Sequence, residues 1–66
     1  MDEVIINNLL AEMTRRGIKK EEMARKMDIS ISTFNRKVIT KEFTLPEICK
    51  GCQFMMIPFS ELLRTI

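Results

Sequence analysis

The sequence predicts an all-α fold of five short helices, and three observations support this fold class. Apolar residues recur three and four positions apart in several stretches, which is the spacing of an amphipathic helix. Residues that cap helices precede most of these stretches. No stretch alternates polar and apolar residues for long enough to predict a strand. The chain has 66 residues and no linker or repeat, so we expect one domain over residues 1–66.

Caps and breakers set the expected helix boundaries. The first helix is expected over residues 3–16, capped by Asp2 and ended by Gly17, which adopts the left-handed conformation easily. The fourth helix begins after Thr44, which forms a capping box with Glu47, and Ile57-Pro58 ends it. A connector at 39–43 precedes that helix, and a last helix is expected over 59–65. The residues expected to face the core include Ile6, Leu9, Leu10, Met13, Met23, Ala24, Met27, Phe34, Val38 and Leu62.

The second and third predicted helices, at residues 20–27 and 31–38, meet at a short turn and form a helix-turn-helix. Ser30 is suited to cap the third helix, whereas Lys19 lacks the side-chain oxygen needed to cap the second. Tight corners often need a positive φ, which Asp28 tolerates better than most residues. With Phe34 pointing inward, the opposite face of the third helix is expected to remain free.

This arrangement resembles the lambda-repressor-like, or Cro/Xre-type, helix-turn-helix DNA-binding domains. The matching stretches are Glu22-Met23-Ala24-Arg25-Lys26-Met27, Ile29-Ser30, Thr33-Phe34, Thr44-Leu45-Pro46-Glu47-Ile48 and Ile57-Pro58-Phe59-Ser60-Glu61-Leu62-Leu63. Together they span nearly the whole chain, and residues 33–45 are most similar to small prophage regulators. The resemblance implies a five-helix fold whose second and third helices bind duplex DNA.

Three positions depart from the pattern of that family. Asp28 replaces the usual Gly, and Ile39-Thr40 replaces a polar residue followed by Gly. Lys37 stands where many members have an apolar or aromatic residue. We expect the aliphatic part of Lys37 to cover the edge of the core while its charge reaches outward.

Charge is unevenly distributed along the chain. Residues 15–41 contain nine basic and three acidic residues, whereas the remainder contains two basic and six acidic residues. This basic segment indicates a surface that faces DNA, although the formal net charge is only +2. The alternative is a solvated surface with ion pairs inside helices, since Glu21–Arg25 and Glu22–Lys26 are four residues apart.

The third helix is the expected recognition helix, because one helix fits the major groove and enters with its N-terminal residues foremost. The expected base-reading residues are Ile31, Ser32, Thr33, Asn35 and Arg36. A turn of about 100° per residue places Ser32 and Arg36 opposite Phe34. Arg36 is suited to guanine and Asn35 to adenine. Ile31 either packs against the second helix or meets a thymine methyl group.

Contacts to the phosphates of DNA are expected from side chains that surround the recognition helix. These residues are Lys19, Lys20, Ser30, Lys37 and Lys41. Lys20 lies at the start of a helix, where the helix dipole also favours an anion. Such contacts fix the register of the protein on DNA but carry no sequence information.

A dimer is expected, at least on DNA, because one recognition helix reads only a few base pairs. Relatives bind two half-sites about 34 Å apart as dimers. The expected dimer interface contains Phe59, Leu63 and Ile66 of the last helix. The alternative is that these residues close the core of one chain, as Leu62 is expected to do.

Other functional classes are disfavoured by residues that the sequence lacks. With no His, no Gly-rich phosphate loop and no paired carboxylates in a plausible cleft, we expect no enzyme, cofactor or small-molecule ligand. Cys49 and Cys52 are expected to pack as apolar side chains; a metal shared across a dimer is the alternative. No apolar run is long enough to span a bilayer and no signal peptide is recognisable, so we expect a cytoplasmic protein without membrane contact.

The sequence therefore predicts a phage-type or prophage-type transcriptional regulator that binds double-stranded DNA sequence-specifically, as a repressor or a Cro-like switch. The alternative is a helix-turn-helix used as a protein-interaction module, such as an antirepressor or the partner of another regulator. Salt-dependent binding to random duplex DNA distinguishes the two hypotheses.

Overall fold

All elements of secondary structure are helices within residues 2–64, the part of the chain that the computed structural model describes. Four α-helices are followed by one 3-10 helix: α1 (Glu3–Arg15), α2 (Lys20–Lys26), α3 (Ile31–Thr40), α4 (Leu45–Met55) and η1 (Phe59–Leu63). The five elements occur in the predicted order, which confirms the all-α fold with its helix-turn-helix at α2 and α3. Within these residues, no helix is long and apolar enough to cross a bilayer.

α1 and α2 each end one residue earlier than predicted, and two other elements differ more. Ile39 and Thr40, expected in the connector, belong to α3, which contains no helix breaker before Lys41 takes the left-handed conformation with a φ of 63°. The last element is a 3-10 helix rather than an α-helix, as is common for segments of so few residues. Its expected extension to Thr65 lies outside the described residues.

Side-chain caps define where most of the α-helices begin. The side chains of Asp2, Ser30 and Thr44 each accept a hydrogen bond from a backbone N–H two or three residues further along. Lys19 makes no such bond, so α2 begins without a side-chain cap, as predicted. The capped start of α3 fixes the end of the helix that is expected to enter DNA.

The turn between α2 and α3 has Asp28 in the left-handed conformation, with a φ of 61°, which confirms the expected positive φ. The N–H groups of Asp28 and Ile29 donate to the carbonyl oxygens of Arg25 (3.1 Å) and Ala24 (3.0 Å). These two bonds form the Schellman closure that commonly ends a helix. The Asp28 carboxylate also lies 2.9 Å from Nζ of Lys50, which ties the turn to α4.

The core lies between α1, α2, α4 and the inner face of α3. Its buried apolar residues are Ile5, Ile6, Leu9, Met13, Met23, Ala24, Met27, Phe34, Phe43, Ile48, Cys52, Met55 and Leu62. Leu10 and Val38, also expected to face inward, are partly buried at the edge of this core. Gly51 allows α4 to approach α2 closely, because an added Cβ would lie 3.0 Å from Cε of Met27.

The C-terminal segment is held against α1 by one amide side chain. Nδ2 of Asn8 donates to the carbonyl oxygens of Leu62 (2.8 Å) and Arg64 (2.7 Å). The Leu62 side chain is fully buried, as predicted. Asn8 therefore supplements apolar packing with directional bonds that position η1.

Candidate nucleic-acid interface

The recognition helix is anchored by its inner face. Phe34 is fully buried, and its ring meets Phe43 edge-on with the ring centroids 5.3 Å apart. Val38, one turn further along, packs against the edge of the core. This anchoring is as predicted, and it leaves the opposite side of α3 without protein cover.

The outer face of α3 presents polar side chains that are not engaged elsewhere. Ser32, Asn35 and Arg36 are exposed, and none of these side chains has a hydrogen bond or ion pair with any residue from 2 to 64. Asn35 and Arg36 lie three and four positions after Ser32, so both border Ser32 on one side of the helix. The structure thus brings three of the predicted base-reading residues together with their donors and acceptors available.

The remaining two predicted base-reading residues lie at the start of α3. Ile31 keeps 38% of its surface exposed, so packing against the rest of the chain does not fully bury it. Thr33 is half-buried, and its hydroxyl oxygen accepts a hydrogen bond from Oγ of Ser30 at 2.9 Å. The Ser30 oxygen in turn accepts the Thr33 N–H at 3.1 Å. Both hydroxyls therefore serve the cap of α3.

Lys37 is not an outward-pointing cation. Its Nζ lies 2.8 Å from both carboxylate oxygens of Glu47, and each of these two side chains retains only 14% of its exposure. The expectation that the Lys37 charge reaches outward is therefore wrong. The reason is that the first turn of α4 places a carboxylate beside this lysine, so its charge is balanced within the protein.

The Glu47 carboxylate stays ionised in this position. Burial favours its neutral form, but the hydrogen bonds from Lys37 and from the Thr44 N–H, with the charge of Lys37, hold the pKa of Glu47 below its ordinary value. Oε1 accepts the Thr44 N–H at 2.9 Å, and the Glu47 N–H donates to Oγ1 of Thr44 at 3.4 Å. This capping box, predicted from the sequence, therefore shares its carboxylate with α3.

The other predicted phosphate-binding lysines lie at the two ends of the motif. Lys19 and Lys20 are exposed at the start of α2, and their side chains have no ion pair with the described residues. Lys41 is half-buried at the end of α3, with its Nζ 3.4 Å from the carbonyl oxygen of Val38. Two cations are thus fully available at the start of α2, and Lys41 is partly engaged.

The ion pairs expected inside α2 do not form among the described residues. Lys26 instead lies over the ring of Phe54, with Nζ 5.0 Å from the ring centroid. Arg15 and Arg16, at the end of α1, both pair with Glu12. Ion pairs within a helix therefore do engage part of the charge of the basic segment. They form with Glu12 of α1 and not with the glutamates of α2.

The predicted dimer residues have different surroundings. Leu63 keeps 52% of its surface exposed on η1, whereas Phe59 packs partly against the core of its own chain. Ile66 lies outside the described residues. Of the two described residues, Leu63 is the one whose exposure suits an interface between two chains.

Both cysteines are free, and Cys52 packs in the core. Cys52 lies in the core and Cys49 is half-buried on the same helix. Burial, with a smaller contribution from Cys49, raises the pKa of the Cys52 thiol. A buried thiol with a raised pKa is a poor nucleophile, in line with the expected packing role of Cys52.

Glu47 is the site residue that sequence reasoning missed. Its capping role was evident from Thr44, three residues earlier, but its second partner was not. A signal was present, because Lys37 occupies a position where the family usually places an apolar side chain. A cation at the edge of a core needs a carboxylate nearby, and the first turn of the next helix supplies one.

Comparison with known proteins identifies the family. The model of the Cro/C1-type HTH DNA-binding domain matches residues 8–66, which include the whole helix-turn-helix and every residue discussed above as a contact to DNA. Searches of curated proteins and of solved structures found no significant match. Domains of this type are regulatory rather than enzymatic, and they bind DNA to control transcription. The chain belongs to the Cro/C1-type helix-turn-helix DNA-binding family.

Proposed function

We propose that the protein binds double-stranded DNA sequence-specifically and regulates transcription as a phage-type or prophage-type repressor or Cro-like switch. The observation that carries this proposal is the outer face of α3, where Ser32, Asn35 and Arg36 are exposed without partners among the described residues. Buried anchors on one side and unengaged polar groups on the other are what a helix needs to enter a groove.

In this proposal α3 lies in the major groove with its N-terminal end foremost. Arg36 donates two hydrogen bonds to a guanine, and Asn35 pairs with the edge of an adenine. Ile31 contacts a thymine methyl group, which its partial exposure supports. Ser32 and Thr33 contact bases or the neighbouring backbone at the groove edge.

Phosphate contacts are assigned to cations at the two ends of the helix-turn-helix and to one hydroxyl between its helices. Lys19 and Lys20 approach one strand from the start of α2, and Ser30 lies between the two helices. Lys41 contributes from the end of α3. Lys37 receives no such role here, because its charge is balanced by Glu47.

We further propose that two chains bind together on DNA, each reading one half-site. Leu63 lies at the centre of the proposed contact, since it is the exposed apolar residue of η1. Phe59 contributes mainly to its own core. Ile66, which lies outside the described residues, is kept in the proposed interface from the sequence alone. The two recognition helices would then be spaced by about 34 Å, one turn of DNA.

Selection of bound duplexes from a random pool, combined with salt titration, tests this function. We expect affinity to fall as salt rises, and we expect the selected sites to be palindromic with half-sites about one turn apart. Lys20→Ala is expected to weaken all sequences alike and to reduce the salt slope by about 0.9 for each bound chain. Arg64→Ala, which removes the same charge from the C-terminal segment, serves as the control. Absence of duplex binding at low salt would instead support a protein-interaction module.

A further inference from the structure

We propose that Lys37 and Glu47 form a positioning pair, which sets the angle at which α3 presents Asn35 and Arg36 to the bases without itself contacting DNA. This inference rests on the DNA-reading role proposed for α3. It assigns a role in specificity to Glu47, a residue on a different helix from the reading face.

One carboxylate joins two helices at this point. Both oxygens of Glu47 accept hydrogen bonds from Nζ of Lys37 at 2.8 Å, and Oε1 also accepts the Thr44 N–H at 2.9 Å. Lys37 lies in the second half of α3, and Glu47 lies in the first turn of α4. Displacing α3 from this position would break the ion pair and disturb the group that caps α4.

The packing of the helices explains why such a restraint matters. α3 packs mainly against α2, while α4 packs against α2 and η1. α3 and α4 therefore share α2 as a neighbour and are not packed along each other's length. The Lys37–Glu47 pair joins α3 to the first turn of α4 by an ion pair, in addition to the contact of Phe34 with Phe43 in the connector.

Asn35 and Arg36 directly precede Lys37 on the same rigid helix. A rotation of α3 about its contact with α2 would move their side-chain tips away from the base edges. Hydrogen bonds to bases require defined distances and angles, whereas attraction to phosphates tolerates displacement. Loss of the brace should therefore reduce specificity more than overall affinity.

The opposite role, a direct phosphate contact by Lys37, predicts a different result. To reach DNA, Lys37 would have to leave a carboxylate that is 14% exposed without its partner. If Lys37 did bind phosphate, Glu47→Gln would free its charge and remove a negative charge, which would strengthen binding to any duplex. Positioning predicts weaker binding to the specific duplex only.

The test compares Glu47→Gln with Glu42→Gln in the full chain. Gln can still cap α4 at this position, so the first change removes the ion pair but retains the cap. Glu42 is exposed in the connector and has no ion pair with the described residues, so its replacement is a control of equal charge. The probes are a duplex selected by the parent protein and a random-sequence duplex of the same length.

We expect Glu47→Gln to lower the ratio of selected to random affinity by about fivefold or more, the low end for one bidentate base contact. Glu42→Gln should leave this ratio unchanged. Lys37→Met should reproduce the loss with an unaltered salt slope, and the double variant should be no worse than either single variant, since both remove one interaction. Lys37→Arg, which can still pair with Glu47, should retain most of the ratio.

Thermal melting curves of every variant distinguish a loss of stability from a loss of positioning. Binding is measured well below the melting midpoint of each variant. A lower midpoint with an unchanged affinity ratio would overturn the proposal in favour of a purely structural pair. Tighter binding of Glu47→Gln to both duplexes, with a salt slope reduced by about 0.9 for each bound chain in Lys37→Met, would assign Lys37 to phosphate. If the parent protein bound no duplex at all, the proposed function would fail first, and this inference with it.

Discussion

Arg36 and Lys37 are adjacent cations on one helix, yet their surroundings differ completely. Arg36 is exposed and its guanidinium has no partner among residues 2–64. Lys37 is mostly buried and paired with Glu47. The helical turn of about 100° between neighbours separates the two environments. The number of basic residues in a segment therefore overstates the charge available to DNA, which depends on the face that each side chain occupies.

The largest effect is expected where α3 meets the core. Phe34→Ala should destabilise the fold by about 3–5 kcal/mol, since it empties a fully buried site. Ile39→Ala on the same helix should change stability by less than about 0.5 kcal/mol, because Ile39 is 78% exposed. Urea unfolding measures both, and equal losses would contradict the division of α3 into an anchoring and a free face.

The next effect concerns Arg36 itself. Arg36→Ala should weaken binding to the selected duplex by about 1–3 kcal/mol and relax preference at one base pair. Arg36→Lys keeps the charge but lacks the two-pronged donor, so it should retain random-duplex affinity while losing that preference. Competition binding with single-base variants of the site measures both effects. Unchanged preference in both variants would show that Arg36 does not read a base.

A smaller effect is expected at the start of α3. Ser30→Ala removes the oxygen that accepts the Thr33 N–H and should cost about 1 kcal/mol of stability. Ser30→Gly should cost only a few tenths of a kcal/mol, because Gly is tolerated at this position. Thermal unfolding compares the two. Unchanged stability in Ser30→Ala would mean that the hydroxyl does not act as a cap.

The smallest effect is a pH dependence at the other end of α3. Because the pKa of Glu47 is lowered on folding, its stabilising contribution is complete above the ordinary glutamate value of 4.5 and is lost as pH falls through the folded-state pKa. We expect this contribution to stay below about 1 kcal/mol. Urea unfolding between pH 6 and about pH 3 should show a shallower acid loss in Glu47→Gln. Identical pH profiles would exclude a stabilising ion pair.

Local signals in the sequence predicted most of the fold. Apolar spacing located all five elements, and the caps at Asp2, Ser30 and Thr44 located three of the helix starts. The left-handed Asp28 was also predictable, because the turn geometry requires it. These features depend on residues within a few positions of one another, so the chain specifies them without knowledge of tertiary contacts.

Long-range contacts were not predictable in the same way. The bonds from Asn8 to Leu62 and Arg64 join residues more than fifty positions apart, and nothing in the local pattern marks them. The partner of Lys37 depends on the angle between α3 and α4, which periodicity does not determine. The same angle decides which cations of the candidate site remain available to DNA. The exposed face of α3 was therefore predicted correctly, whereas the pairing of Lys37 with Glu47 was not.

Three helix ends use residues other than glycine in the left-handed conformation: Asp28, Lys41 and Met56. Met56 has a φ of 58° and is 90% exposed, so its side chain contributes almost nothing to packing in return for the steric strain. An L-residue in this conformation costs on the order of 1 kcal/mol relative to glycine. Met56→Gly should therefore raise the free energy of unfolding. Destabilising substitutions in α3 can then be studied in this more stable variant without loss of the fold.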